Sequence, residues 1–211
     1  NGLGTGMMDI PVGKTLNVTG SSDHILDNVR VQNAGTIQYN TDTSSYNRLR
    51  MRNGAVIDNA GVFDFRVNNY LDATGGTATF NNTGTVRKTS SGGTAGFVNN
   101  GGTVTFNNAG ALDVQSGTLA LSGFSQTGAG SVLAGAVNVF QGSGVSTDDL
   151  AVANGASFTF TGGNHTLSAT ADFGGGGTIG LSEGTLNVAG TLTPSTFNLS
   201  GGTLNLSGTL T

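Results

Sequence analysis

A short unit recurs through this chain. A turn of Asn and Gly is followed by a small residue and then by alternating apolar and polar positions. Its clearest copies are Asn33-Ala34-Gly35-Thr36-Ile37-Gln38-Tyr39, Asn59-Ala60-Gly61-Val62-Phe63-Asp64-Phe65 and Asn108-Ala109-Gly110-Ala111-Leu112-Asp113-Val114. Related copies are Asn82-Thr83-Gly84-Thr85-Val86 and Asn100-Gly101-Gly102-Thr103-Val104-Thr105-Phe106. Late copies are shorter: Gly184-Thr185-Leu186-Asn187-Val188, Gly190-Thr191-Leu192-Thr193 and Gly202-Thr203-Leu204-Asn205-Leu206. Alternation with a period of two is the signature of a half-buried strand. Neighbouring units lie about 6–8 residues apart, and larger laps recur at about 18–26 residues, as from Gly35 to Gly61, Gly61 to Gly84 and Gly84 to Gly102.

That lap suits a coil of three short strands, each pairing in parallel with its counterpart in the next coil. The sequence therefore predicts an all-β fold, a single-stranded parallel β-helix (β-solenoid). Its 211 residues make about ten coils of roughly 18–26 residues. A right-handed coil follows from the hand of parallel crossovers. The whole of 1–211 reads as one domain: residues 1–30 as an irregular first coil or cap, and 31–211 as repeats. Residues 40–50, Thr89–Thr94 and Gly174–Gly177 break the pattern and read as a loop, a corner excursion and a turn. Asn pairs such as Asn81-Asn82, Asn99-Asn100 and Asn107-Asn108 are expected at corners, where Asn tolerates the left-handed region and stacked amides bond along the axis.

Composition supports this reading. Gly, Thr, Asn and Ser make up half the chain, Cys and Trp are absent, and charged residues are 9%. Such residues are poor helix formers. No apolar run approaches the roughly 20 residues of a membrane-spanning helix, and zero Cys excludes a disulfide framework or a Cys-based zinc site. All eight Lys and Arg fall between Lys14 and Lys88, while residues 89–211 hold five acids and no base. A base-free acidic half repels phosphate backbones, so nucleic acid is not an expected partner. The surface is solubilised by hydroxyls and amides, which leans towards export; any export signal is expected to have been removed or to lie outside these residues.

The Gly-Thr-Leu-Asn-Val and Phe-Asn-Asn-x-Gly-x-Val units resemble the β-helical repeats of filamentous-haemagglutinin-type adhesins and autotransporter passenger segments, over most of residues 53–211. The resemblance implies a secreted or surface-displayed bacterial protein, outside the cell or on its surface. It implies a non-catalytic spacer, stalk or fibre-forming subunit whose partners are flanking β-helix coils or other copies of itself end to end.

Candidate chemistry was weighed against this. Arg48, Arg50 and Arg52 alternate with Leu49 and Met51, which reads as one strand with three outward arginines. Arg66, Arg87 and Lys88 are expected to continue that basic face. It is either a salt-bridged surface beside Asp58 and Asp64 or a shallow ligand-binding site for an acidic sugar, flanked by aromatics such as Tyr46, Tyr70 or Phe97. The second alternative makes the chain a carbohydrate-binding module. A polysaccharide lyase or hydrolase is a third reading. Asn40-Thr41-Asp42 and Asp148-Asp149 resemble fragments of polygalacturonases, and paired carboxylates are what glycoside hydrolysis needs. These fragments lie several coils apart and the family's Gly-His-Gly is missing, so Asp148-Asp149 reads as a turn before Leu150. Gly13-Lys14-Thr15 lacks the upstream Gly and the helix of a phosphate-binding loop. His24 and His165 read as surface or corner residues, and no metal or other cofactor is expected. Thr-x-Thr pairs (Thr77/Thr79, Thr103/Thr105, Thr191/Thr193) raise an ice-binding face but are sporadic. Five Asn-x-Ser/Thr sequons, from Asn17 to Asn205, match the number chance gives.

Overall fold

The computed structural model describes residues 6–41 and 47–211. All regular structure in them is β-strand, and every recorded strand pair is parallel. The chain winds as a β-solenoid of about ten turns, each turn presenting three faces. The first face stacks Gly6–Ile10, Val29–Asn33, Val56–Asn59, Gly76–Asn82, Gly102–Asn108 and Phe124–Gln126. It continues through Ser143–Ser146, 164–167, 185–188 and Thr203–Leu206. The second face runs from Thr15–Gly20 through Thr36–Thr41, Val62–Phe65 and Thr85–Lys88 to Thr191 and Thr209. The third runs from His24–Asp27 through Leu49–Arg52 and Tyr70–Ala73 to 196–199.

The repeat unit explains the corner between the first and second faces. Asn33, Asn59, Asn82 and Asn108 close successive first-face strands, in register with one another and with their side chains turned inward. Each side-chain amide donates to the next carbonyl oxygen along the axis: Asn33 to Asn59 at 2.6 Å, Asn59 to Asn82 at 2.8 Å, Asn82 to Asn108 at 2.8 Å and Asn108 to Gln126 at 3.0 Å. The second amide proton reaches corner carbonyls such as Val62 O at 3.0 Å and Thr85 O at 3.1 Å. Burying an amide without partners costs several kcal/mol in an apolar medium, so a satisfied ladder fixes the register of every coil it joins. Two residues on, Gly35, Gly61, Gly84 and Gly110 stack so closely that a Cβ on one would overlap the carbonyl oxygen of the one below. Asn and Gly are thus required two residues apart at this corner, and the amides do their work in extended strand. Among the described residues only Asn28 and Asn53 are non-glycine residues with positive φ.

Inside, Val, Leu, Ile and Phe form columns from coil to coil. Leu16, Ile37, Phe63, Val86, Leu112, Val132 and Val152 are one such column on the second face. Phenylalanines from different faces meet on the axis, with ring centroids 5.3 Å apart for Phe63–Phe80, 4.6 Å for Phe80–Phe97 and 4.9 Å for Phe97–Phe106. Each such pair adds about 0.5–1.5 kcal/mol to the burial of its rings.

Several sequence expectations are corrected. The lap from Gly84 runs to Gly110, 26 residues on in ladder terms, because Gly102 pairs with Gly76 at a different corner. Units 6–8 residues apart are successive faces of one coil, as the three-strand lap predicts. Residues 6–30 carry three regular strands. Gly174–Gly177 lies within the continuous strand Asp172–Val188, which turns its corner without ending.

The ladder yields a graded expectation. Asn82→Ala removes two buried amide bonds and strands its neighbours, and should cost about 2–4 kcal/mol of unfolding free energy. Asn81→Ala, one residue away on the outer surface, should cost less than about 1 kcal/mol. Urea denaturation of both variants checks the ratio.

Candidate functional site

The basic cluster is built on three coils. On the third face, Leu49 and Met51 point inward and are buried, so Arg48, Arg50 and Arg52 project outward as the alternation predicts. The coil below supplies Asp23 and Asp27 and the coil above supplies Asp72, because His24–Asp27, Leu49–Arg52 and Tyr70–Ala73 stack in register. Every arginine of the cluster meets a carboxylate. Arg52 Nη2 lies 2.8 Å from Asp27, Arg50 Nε lies 2.9 Å from Asp23, and Arg48 Nη1 donates to Asp72 Oδ2 at 3.2 Å. Asp72 is fully buried and accepts a further bond from Asn100 Nδ2 at 2.8 Å. Its other oxygen is 4.0 Å from Arg50 Nε. Asn53 Nδ2, 2.7 Å away, and the Arg52 guanidinium together hold the Asp27 carboxyl below its ordinary range. The Arg48 guanidinium also sits 5.4 Å from the centroid of the Tyr70 ring.

Arg66 and Arg87 are on the second face, each with its own partner: Arg66 Nε to Asp64 at 3.0 Å and Arg87 Nε to Asp113 at 3.1 Å. The six predicted residues therefore fall on two faces. Five of them are paired with carboxylates, and the cluster is a set of neutralised pairs.

Lys88 is the exception and corrects the expected outward face. It shares the inward column with Phe65 and Val114, one coil below and one above. It is fully buried. Its ammonium group donates to three main-chain carbonyls, Ser90 O at 3.0 Å, Gly92 O at 2.8 Å and Ser116 O at 2.8 Å. An ammonium has three protons, so all are used. Burial pushes its pKa below the ordinary lysine value. The side chain ties the Thr89–Thr94 excursion to the corner of the next coil. The signal was present in the sequence: Lys88 has the same parity as inward Val86.

The other expected candidates separate in space or fall elsewhere. Phe97 is buried on the axis. Tyr46 and Asp42 lie outside the described residues. Asp149 accepts the Asp172 N–H at 2.9 Å, so it caps a strand of the next coil, and Asp148 accepts from Thr147 Oγ1 at 3.0 Å. His165, expected as a surface or corner residue, is buried on the inside of the Thr161–Asn164 corner, between Gly144 and Leu186 on the first face. His24 lines an apolar cavity of about 180 Å³ in the first coil, with Leu16, Leu26, Val31, Ile37 and Leu49. Thr77 and Thr79 stack on Thr103 and Thr105 of the next coil. Among the described residues, no three His, Asp or Glu side chains gather in metal-binding proximity.

Comparison with protein-family models, with curated proteins and with solved structures finds no match for this chain.

The buried ammonium sets a pH dependence. A lysine whose folded pKa is lowered binds fewer protons when folded than when unfolded at alkaline pH, so it contributes stability as pH rises. Its desolvation cost is present in full at neutral pH and is relieved between the folded pKa and about 10.4, the unfolded value. Wild type should therefore gain stability relative to Lys88→Met between pH 8 and pH 10, measured by urea denaturation at each pH. An unchanged difference would show that the three carbonyls fully offset the desolvation of the Lys88 ammonium.

Proposed function

We propose that this chain is a non-catalytic structural segment of a secreted or surface-displayed bacterial adhesin or filament, a rigid stalk or fibre-forming unit. The observation that carries the proposal is the unbroken linkage along one axis. Each coil is joined to the next by parallel backbone ladders, on all three faces except between Phe124–Gln126 and Ser143–Ser146, where the first face has no ladder, by a shared apolar core and, over five coils, by buried amides. With about 4.8 Å between coils, ten coils make a rod on the order of 50 Å long.

The edge strands support the proposed partners. Gly6–Ile10, Thr15–Gly20 and His24–Asp27 pair on one side only, as do 196–199, Thr203–Leu206 and Thr209–Leu210. Large apolar side chains stand exposed at both edges, Met7 and Ile25 at one, Leu199 and Leu206 at the other. Unpaired strand edges recruit further strands. Further β-helix coils, or other copies of the chain stacked end to end, are the partners that continue this pairing.

The arginine pairs fit a structural role. Each crosses from one coil to a neighbouring one or braces a single strand, and the more exposed of them, such as Arg52–Asp27, contribute about 0–1 kcal/mol each. They hold register more than they attract ligands.

A spacer transmits distance. With fluorophores placed at the two ends of the rod, deleting one whole coil between Asn59 and Asn82 should bring them closer by about 5 Å while the remainder keeps its β-sheet spectrum. Release of oligosaccharides from a panel of acidic and neutral polysaccharides would overturn the non-catalytic reading.

A further inference from the structure

Among the described residues His165 is, with Lys88, one of two buried basic side chains, and its setting differs from that of Lys88. It is 2% exposed, with its ring centroid 5.0 Å from that of Phe160. Its Nε2 lies 3.2 Å from Gly162 O. A carbonyl only accepts, so the proton of the neutral ring is on Nε2, and Nδ1 carries a bare lone pair. That Nδ1 is buried with no hydrogen-bond partner in the neutral ring, and the Phe124 main chain, like that of Gly162, favours the charged ring against the larger cost of burial. Above and below in the same column stand Gly144 and Leu186, neither of which offers a polar side chain.

The corner beside the ring interrupts the inter-coil ladder, as do other corners of the C-terminal half. The strand Ser157–Leu167 loses register with the next coil between Phe160 and Thr161 and again between Thr161 and Asn164. Gly162 and Gly163 span that break, and Gly163 has φ +79°. A Cβ on Gly163 would lie 3.0 Å from His165 Nε2, so the imidazole fills the inside of the turn. The ring's bond to Gly162 O pins the corner from within.

Charge around the ring is sparse. The strands packed on it are Phe124–Gln126, Ser143–Ser146, 157–167 and 183–188. Among these described residues, Glu183 is the one ionisable side chain besides His165. Glu183 is exposed and pairs in register with Thr161, on the coil directly above the broken corner. A carboxylate therefore stands in water just outside the turn that the imidazole closes from inside.

We propose that His165 and Glu183 form an acid-sensitive latch: at neutral pH the buried imidazole holds the Thr161–Asn164 corner shut, and on acidification the protonated ring swings out to the Glu183 carboxylate and opens the coils on either side. Burying an imidazolium against Phe160 and Leu186 is unfavourable, and burial already pushes the His165 pKa below its ordinary value. A histidine neutral when folded binds fewer protons than when unfolded or swung out. Stability is therefore present above the ordinary histidine pKa of about 6.5 and is lost as pH falls below it. Protonation thus acts on an element with two arrangements, each with a named partner. This latch is independent of the stalk reading and adds regulation to the rod whatever its use.

The composition makes the test clean. The chain has two histidines and no cysteine, and free carboxyls titrate near 4, so few side chains other than imidazole change charge between pH 7.5 and 5.0. Amide hydrogen exchange, corrected for intrinsic rate, should rise in 161–167 and 183–188 by up to tenfold per pH unit across the lower part of that window. The first five coils should not change. His165→Leu should abolish the rise, Glu183→Gln should move its midpoint to lower pH, and His24→Gln should leave it intact. Direct titration of the wild-type imidazole by NMR keeps the test valid if His165→Leu fails to fold. The proposal is overturned by wild-type exchange that is flat from pH 7.5 to 5.0, by a rise that survives His165→Leu or disappears in His24→Gln, or by a midpoint that Glu183→Gln does not move.

Discussion

The fixed distance between coils governs this protein. Parallel strands stack about 4.8 Å apart on all three faces, so every side chain inside the rod meets its counterpart from the coil below and the coil above. Such a column accepts apolar groups of compatible size, or polar groups that bond along the axis. The Asn33–Gln126 ladder is the polar solution. An amide carries both donor and acceptor, so each can give to one neighbour and take from the other, and no charge is left inside. The ladder has a direction, with every Nδ2 pointing towards the C-terminal coils. It starts at Asn33 Oδ1, which has no donor and stands above Ile10, and ends where Gln126 Nε2 bonds to Gly128 O at 2.5 Å.

Beyond that point the same corner is solved with apolar residues. Leu167, Val188 and Leu206 follow Ser146 in register. The change coincides with the loss of basic residues and with strands that run round corners unbroken, as in Asp172–Val188. The two halves of the rod are thus built differently on one cross-section. The first relies on buried amides, inter-coil ion pairs and a caged ammonium. The second relies on Leu and Val columns, close glycine corners and exposed hydroxyls. Among the described residues a buried basic side chain occurs once in each, Lys88 held by three carbonyls and His165 with Nδ1 lacking a partner in the neutral ring. That difference in hydrogen-bond supply is why one is a brace and the other is sensitive to protons.

Much of this was legible in the residues. The alternation Leu49–Arg50–Met51–Arg52 placed apolar groups inside and arginines outside, and the structure agrees. The same parity puts Lys88 beside Val86 and His165 beside Leu167, both inward. Expecting Lys88 on the outer face gave chemical type more weight than periodicity, and in a narrow rod periodicity prevails, because reversing one side chain would break the backbone ladder on both sides. The partners of Arg50, Arg52 and Arg87 were not legible. Asp23, Asp27 and Asp113 lie a whole coil away in sequence, and coils vary in length, with ladder steps of 26, 23, 26 and 18 residues. A one-residue error in any coil would assign every pair wrongly.

By itself, then, the sequence determined the class of fold, the three-strand coil, its number of turns and the side of each strand that faces inward. Local alternation and the Asn-x-Gly spacing act within a few residues, and they survive any uncertainty about what lies a coil away. Only the tertiary structure decided which coil meets which. That decision turned the arginine cluster into neutral pairs, closed three carbonyls around Lys88, and set His165 inside a corner with Glu183 outside it. Each of these depends on register summed over coils of unequal length, and the buried contacts that fix that register exist only once the coils have stacked.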